Sequence, residues 1–208
     1  MKKIAFLGDS ITEGCCVNLD ERYPTLLCKK LNCIEANYGI GGTRIARQTK
    51  PSDNPLFDLD FVSRVETVDK DADLVIVFGG TNDYGHGDAL LGTEKDESVY
   101  TYYGAVKQLI KLLLARFDKN KILFIIPLPR LGQEASVKGD NVPLKIYKDI
   151  LIHYIKLNNL DYISFDDLLS TDGLISKYTV DGLHPNPEFH EIMAQKLKDY
   201  IDQKGYLK

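Results

Sequence analysis

The residues best suited to chemistry begin directly after the first apolar run of the sequence. Residues 4–7 are apolar, and the segment stops at Gly8 and continues with Asp9 and Ser10. Such a run predicts a buried parallel strand, and ligands of open α/β sheets bind beyond the carboxyl ends of these strands. The Ser10 hydroxyl is therefore placed where a nucleophile could act. Asp and Ser at this position are also typical of a turn that caps a helix.

Asp181 and His184, close to the end of the chain, could supply the base that a serine hydroxyl requires. A serine attacks only when a base takes its proton, and a histidine base works best when a carboxylate fixes its tautomer. On a tight turn, three residues of separation can bring the carboxylate to one ring nitrogen and leave the other for the serine. An isolated Asp-x-x-His is equally compatible with turn residues and a surface histidine.

Two other segments offer hydrogen-bond donors for a negatively charged oxygen. The glycine-rich residues 39–43 follow one predicted strand, and Asn82 follows another. The Gly42 backbone N–H and the Asn82 side-chain amide are suitable donors for the oxyanion of acyl transfer. The glycine cluster contains neither GxGxxG nor GxxxxGK[ST], which argues against a dinucleotide or P-loop phosphate site.

The elements that must position these residues alternate along the chain. Strands are predicted at 4–7, 33–38, 74–78, 121–126 and 161–165, and helices at 23–31, 59–68, 99–117, 143–155 and 186–201. His190 falls off the apolar face of the last helix. The alternation predicts an α/β fold, a single three-layer α/β/α domain over residues 1–208 with a flavodoxin-like parallel sheet of about five strands.

Composition narrows the class of protein. The 208 residues carry a net charge of −4 with scattered basic residues, so nucleic acid is not an expected partner. No window approaches the roughly 20 apolar residues of a membrane-spanning helix, and the first apolar run is too short for a signal peptide. None of the spacings among Cys15, Cys16, Cys28 and Cys33 matches a zinc site, so we expect free thiols and a cytoplasmic protein.

Four segments together resemble, in order, the four motif blocks of the SGNH (GDSL) hydrolase family. They are Gly8-Asp9-Ser10-Ile11-Thr12, the glycine block within residues 37–43, Gly80-Thr81-Asn82-Asp83 and Asp181-Gly182-Leu183-His184-Pro185. The resemblance spans nearly the whole chain, and each block follows a predicted strand.

This resemblance implies roles for individual residues. Ser10 would be the nucleophile, His184 the base and Asp181 the acid that orients it. The Ser10 N–H, the Gly42 N–H and the Asn82 side chain would form the oxyanion hole, with Gly39 and Gly41 as competitors for the role of Gly42. The implied reaction is acyl transfer through an acyl-enzyme and requires neither a cofactor nor a metal.

The substrate is predicted from two long connections, residues 84–98 and 130–141, which we expect at the same edge of the sheet as Ser10 and Asn82. They are mostly polar and offer little material for an acyl groove; in the first, Leu90 and Leu91 could simply anchor the loop to the core. We expect a small-molecule ester with a short acyl group, acetyl to butyryl, on a polar alcohol such as a sugar. Asp9, Tyr84 and His86 are the candidate substrate contacts.

Other functions fit parts of the same pattern. A lysophospholipase or thioesterase of the same family would use the same residues. A metal-dependent hydrolase would use Asp9, Asp83, Asp181 and His184 as ligands, but this leaves Ser10 without a role. A non-catalytic α/β binding module is the third alternative. The acyl length, the alcohol, the oligomeric state and the pathway stay open at this point.

Overall fold

Five parallel strands form one sheet in the part of the chain that this computed structural model describes, residues 1–135 and 142–208. The strands are β1 (Lys3–Gly8), β2 (Ile34–Gly39), β3 (Leu74–Phe78), β4 (Ile122–Ile125) and β5 (Asp161–Ile163). Their order across the sheet is β2-β1-β3-β4-β5, and every neighbouring pair is parallel. This order is the flavodoxin-like one, which confirms the predicted fold class.

Helices connect the strands. They are α1 (Ser10–Glu13), α2 (Tyr23–Leu31), α3 (Phe61–Arg64), α4 (Thr81–Gly85), α5 (Tyr102–Arg116), α6 (Leu144–Leu157), α7 (Asp172–Tyr178) and α8 (Pro187–Lys204). Short 3₁₀ turns lie at Pro55–Asp58, Val65–Thr67 and Lys119–Lys121. None of the helices in the described ranges combines the length and the apolar character that a membrane crossing needs.

Alternation of side chains along the strands explains the layers. In β1, Ala5 and Leu7 pack into one core with α3, α5 and α6, whereas Ile4 and Phe6 pack into the other with α2, α7 and α8. Both sets are fully buried because each face of a parallel sheet is covered by helices. The three-layer α/β/α architecture is thereby confirmed.

The structure differs from the sequence-based expectation mainly in the connections. In place of the helix predicted at 59–68 there is a single helical turn, α3, followed by a 3₁₀ turn. Asp60 caps the start of α3, because its side chain accepts a hydrogen bond from the Ser63 N–H (2.9 Å). Helix α4 was not predicted, because Gly79 and Gly80 are typical of a loop. Residues 136–141 of the second long connection lie outside the described residues.

His190 is a clear correction, because its side chain is fully buried instead of lying off the packed face. Its Nδ1 accepts a hydrogen bond from the Tyr23 backbone N–H (3.1 Å), at the start of α2, where Arg22 provides no side-chain cap. The two rings stack with centroids 6.1 Å apart. Burial lowers the pKa of His190 to about 4, so the ring is neutral and joins α8 to α2.

Replacing this histidine should change how stability depends on pH. Because the folded-state pKa of His190 lies below the unfolded value of 6.5, its contribution is present above pH 6.5 and lost as the pH falls toward 4. The difference in unfolding free energy between the wild type and His190→Gln should therefore shrink by up to about 1.4 kcal/mol per pH unit in that window.

Denaturant unfolding of both proteins from pH 4 to 8 measures this difference. Buried Asp9, whose pKa burial raises to about 7, contributes the opposite trend, but it is common to both proteins and cancels. Parallel stability curves for the two proteins would contradict the assignment.

Candidate active site

Ser10 lies at the turn from β1 into α1, directly above the end of the sheet. Asp9 precedes the helix and its Oδ1 accepts a hydrogen bond from the Ile11 N–H (3.0 Å). A Cβ on Gly8 would lie 2.0 Å from the Thr12 hydroxyl, and one on Gly39 would lie 2.3 Å from the Glu13 backbone nitrogen. These two glycines therefore let α1 pack onto the ends of β1 and β2. As the first residue of α1, Ser10 has an N–H without a carbonyl partner inside the helix.

Arg64 joins the ends of these two strands from below. Its guanidinium donates to the Tyr38 carbonyl (2.7 Å), the Gly8 carbonyl (3.1 Å) and the Thr43 hydroxyl (2.8 Å), and its Nε donates to the Leu59 carbonyl (3.0 Å). The side chain is almost completely buried. Burial lowers its pKa to about 10, which still leaves it cationic at neutral pH.

His184 is held on a tight turn between α7 and α8. The Val180 N–H donates to the His184 carbonyl (2.8 Å), and Gly182 has a φ of 84°, which favours glycine. The Asp181 Oδ1 accepts from the backbone N–H groups of Leu183 (3.0 Å) and His184 (2.8 Å). The turn thus fixes the carboxylate and the imidazole relative to each other.

The three side chains form a continuous hydrogen-bonded chain. Asp181 Oδ2 lies 2.7 Å from His184 Nδ1, and His184 Nε2 lies 3.0 Å from the Ser10 hydroxyl. A carboxylate only accepts, so Nδ1 carries the proton and Nε2 is free to accept from Ser10. Partial burial raises the pKa of Asp181, but the hydrogen bonds from the His184 backbone and ring outweigh it and hold the pKa below its usual value. The carboxylate therefore stays ionised beside the ring.

Asn82 is the second residue of α4, which follows β3, and its side chain is almost fully buried. Its Nδ2 donates one hydrogen bond to the Thr43 carbonyl (2.9 Å). The second N–H of this amide has no partner among residues 1–135 and 142–208. One N–H of the Asn82 amide thus bonds to Thr43, and the other can donate to a ligand.

A histidine and an arginine fix the orientation of this amide. Arg44 donates from its guanidinium to His86 Nδ1 (2.6 Å), and His86 Nε2 lies 3.1 Å from Asn82 Oδ1. Arginine has no acceptor, so Nδ1 must be unprotonated and Nε2 must carry the hydrogen that is donated to Asn82. The Oδ1 atom is therefore the accepting end of the amide, and Nδ2 faces Thr43.

Hydrogen bonds distinguish the three glycines after β2 that are candidates for the oxyanion donor. The Gly39 N–H donates to Asn37 Oδ1 (2.8 Å), and the Gly41 N–H donates to Glu13 Oε2 (2.8 Å). Within the described ranges the Gly42 N–H makes no hydrogen bond. Gly42 also has a φ of 73°, and a Cβ there would lie 2.4 Å from the Phe57 ring.

An open cleft of about 390 Å³ brings these groups together. Ser10, Gly42, Asn82 and His184 all line it. The other lining residues are Glu13, Cys15, Gly41, Phe57, Gly85, His86, Arg130 and Leu183. Phe57, Cys15 and Leu183 were not anticipated as lining residues, because nothing in their local sequence distinguishes them from ordinary loop residues.

Two predicted substrate contacts lie beneath the cleft and are corrected. Tyr84 is fully buried, and its ring packs against Tyr147. Its hydroxyl lies 2.7 Å from the Gly132 carbonyl and 2.5 Å from the Ala135 carbonyl, and its one hydrogen is shared between these two acceptors. Asp9 is buried as the cap of α1, where burial raises its pKa to about 7. His86 does line the cleft.

The ligand set of a metal-dependent hydrolase is not assembled. Asp83 accepts the backbone N–H groups of Ile45 and Ala46, each at 2.8 Å, and so holds a loop in place. In the described residues, the one group of three or more His, Cys, Asp and Glu ligands within mutual reach is a different one, Cys15, Cys16 and His184. The interpretation that used Asp9, Asp83, Asp181 and His184 together is therefore not supported by their positions.

The chain belongs to the GDSL-like Lipase/Acylhydrolase family, whose model matches residues 6–192. This membership confirms the resemblance in the motifs and identifies an ester-hydrolysing enzyme instead of a binding module.

Solved structures share the fold. A protein from Lactobacillus plantarum is 28% identical, with 97% of each chain covered and a TM-score of 0.81. A member of the lipolytic protein G-D-S-L family from Veillonella parvula is 20% identical, with 98% of this chain and 100% of that chain covered and a TM-score of 0.66. A carbohydrate acetylesterase family member from Sinorhizobium meliloti is 19% identical, with coverages of 98% and 99% and a TM-score of 0.66. No curated protein matches the chain.

Removing the Arg64 guanidinium should destabilise the whole edge that carries the site. Arg64→Met removes this donor from the Tyr38 and Gly8 carbonyls and from the Thr43 hydroxyl. The Gly8 carbonyl keeps the Ile40 N–H (3.2 Å) and the Thr43 hydroxyl keeps its bond to the Ile40 carbonyl (2.7 Å), so the main cost is the loss at the Tyr38 carbonyl. We expect a loss of about 1–3 kcal/mol in the unfolding free energy, measured in urea. Lys145→Met, which removes an exposed lysine paired with Asp149 in α6, is the matched control and should change little. Equal stabilities of the two variants would refute this role of Arg64.

Proposed function

We propose that the chain is a serine esterase that hydrolyses short O-acyl esters, above all acetyl esters, of polar alcohols such as carbohydrates. The observation that carries the proposal is the continuous chain from Ser10 through His184 to Asp181, with separations of 3.0 and 2.7 Å. Among the described residues that line the cleft, Ser10 alone carries a hydroxyl.

In the first step, the Ser10 oxygen attacks the ester carbonyl while His184 Nε2 takes its proton. The carbonyl oxygen becomes the oxyanion of a tetrahedral intermediate, and Asp181 stabilises the imidazolium. The intermediate collapses when the C–O bond to the alcohol breaks. Nε2 returns the proton to the leaving alkoxide, so the alcohol departs and the acyl group stays on Ser10.

Three donors would stabilise the oxyanion: the Ser10 N–H, the Gly42 N–H and the second N–H of Asn82. The hydrogen bonds of Gly39 and Gly41 favour Gly42, because their own N–H groups already have acceptors. Donors that are held in place before the reaction stabilise developing charge without reorganising, and one such donor is worth about 10²–10³ in rate.

In the second step, water attacks the acyl-enzyme with His184 again as base. The same donors hold the second oxyanion, and the bond between the acyl carbon and Ser10 breaks. The carboxylic acid is released, and Ser10 and His184 return to their initial protonation states. The two steps use the triad side chains, the three N–H donors and one water molecule.

The walls of the cleft support the proposed substrate class. Phe57 and Leu183 are its large apolar side chains, whereas Glu13, His86 and Arg130 are polar or charged. An acyl chain gains about 0.8 kcal/mol for each methylene it buries, so such a cleft rewards only a few carbons. A structure with the same fold carries the name of a carbohydrate acetylesterase family member, and this agrees with the proposed substrate class.

Ser10→Ala should reduce kcat for p-nitrophenyl acetate by several orders of magnitude, because members of a triad fail as a unit. Far-ultraviolet circular dichroism should be unchanged, since the hydroxyl makes no hydrogen bond that the fold depends on. Ser170→Ala, at an exposed serine, is the control. A Ser10→Ala enzyme that keeps more than about a tenth of the activity would contradict the proposal.

His86→Ala should lower kcat by about ten- to a hundredfold, less than the loss of a whole oxyanion donor. Without the His86 N–H, the Asn82 amide loses the contact that sets its orientation, while the other walls of the cleft stay in place, so we expect the effect on kcat to exceed the effect on KM. His86→Gln keeps an N–H donor and should restore part of the rate. His153→Ala, at an exposed histidine of α6, serves as the control. A raised KM with unchanged kcat would instead place His86 on the alcohol of the substrate.

A series of p-nitrophenyl esters tests the acyl length. We expect kcat/KM to be highest from acetyl to butyryl and to fall toward decanoyl, because the cleft offers no further apolar wall. A panel of acetylated sugars then tests the alcohol. A steady rise of kcat/KM to decanoyl would favour the lysophospholipase or thioesterase alternative.

A further inference from the structure

Two adjacent thiols lie beside the proposed catalytic histidine. Cys15 lines the cleft together with Ser10 and His184, and Cys16 is exposed next to it. The Sγ atoms of the two cysteines are 3.3 Å apart. No step of the proposed reaction uses either thiol.

The fold brings these thiols to this position through the turn that ends α1. Gly14 adopts a left-handed conformation, and the N–H groups of Gly14 and Cys15 both donate to the Ser10 carbonyl (3.0 and 2.9 Å). Cys16 has a φ of 71°, which is uncommon for a residue other than glycine. The chain thus folds back toward the residue that carries the hydroxyl.

The two sulfur atoms and a ring nitrogen of His184 all lie within 4.8 Å of one another. The ligands of a tetrahedral ion with metal–sulfur bonds of about 2.3 Å and metal–nitrogen bonds of about 2.0 Å are separated by roughly 3.5–4 Å. Small side-chain rotations would therefore bring all three atoms onto one ion, and the open cleft leaves the fourth position to water.

We propose that Cys15, Cys16 and His184 form an inhibitory site for a sulfur-preferring divalent cation, Zn²⁺ or Cd²⁺. Thiolate and imidazole select such ions over Mg²⁺ and Ca²⁺, which take oxygen ligands. The spacing of the cysteines does not reveal this site in the sequence, because the third ligand comes from the opposite end of the chain.

Occupancy of this site excludes catalysis, and this part of the inference rests on the proposed function. His184 Nδ1 is paired with Asp181, and Nε2 is paired with Ser10. Whichever nitrogen binds the ion, one of these two hydrogen bonds is lost, so the base is removed from the triad. The step needs no oxidant: two S–H bonds release their protons to solvent as two metal–sulfur bonds form.

The test uses two separate readouts on metal-free protein kept reduced with a phosphine. Binding is followed by the ultraviolet charge-transfer absorption of cadmium–thiolate bonds, and inhibition by the rate of p-nitrophenyl acetate hydrolysis during addition of ZnCl₂. The proteins are the wild type, Cys15→Ser, Cys16→Ser and, as matched control, Cys33→Ser, which removes a part-buried thiol that does not line the cleft.

We expect the wild type and Cys33→Ser to bind Cd²⁺ and to lose activity with Zn²⁺, and Cys16→Ser to need at least about tenfold more Zn²⁺ for half-inhibition. Ser10→Ala should keep the cadmium–thiolate absorption, so the site can be observed even if the esterase proposal fails. Equal inhibition of the wild type and Cys16→Ser would overturn the inference, and so would the absence of thiolate absorption in the wild type.

Discussion

A single buried guanidinium connects the sheet to the groups that line the cleft. Arg64 donates to the carbonyls at the ends of β1 and β2 and to the hydroxyl of Thr43, and the Thr43 carbonyl in turn accepts the amide of Asn82. The carboxyl ends of parallel strands present carbonyls that have no further strand to bond. A cation with five donors satisfies several of them at once, and it stays charged because its lowered pKa is still about 10. The Arg64 guanidinium thus bonds the strand ends and also positions the loop of Gly42 and, through Thr43, the amide of Asn82.

Two aspartates of the site show how environment decides the behaviour of one residue type. Asp9 is buried with a single hydrogen bond to Oδ1 and none to Oδ2 in the described residues, so burial dominates and raises its pKa to about 7. Asp181 is partly exposed and accepts hydrogen bonds from two backbone N–H groups and from His184, so its pKa is lowered. Only the second remains an anion suited to orienting an imidazolium, which agrees with its proposed role.

The sequence predicts the strands and the residues at their ends better than it predicts the connections. Ser10 and Asn82 follow uninterrupted apolar strands, and because parallel strands end at one edge their meeting could be anticipated. Gly42 could not be separated from Gly39 and Gly41, since the difference lies in which N–H groups already have acceptors. Tyr84 was misplaced because a short helix after Gly80 directs its ring into the core.

Other features of the site depend on contacts between residues distant in the chain. His190 was misplaced because α2 covers a part of α8 that apolar periodicity alone leaves polar. The Arg44–His86–Asn82 chain has no local signature, since Arg44 precedes His86 by 42 residues and its role depends on tautomer and distance. The approach of Cys15 and Cys16 to His184 has the same origin.

The most direct test of the central claim is to locate the nucleophile chemically. A fluorophosphonate probe reacts with a serine only when a base activates it. Tryptic digestion after labelling yields the peptide 4–22, which contains Ser10, and fragmentation of that peptide assigns the modified residue. We predict stoichiometric phosphonylation of Ser10 in the wild type and none in His184→Ala; an unlabelled peptide, or a label on any other residue, would contradict Ser10 as the nucleophile.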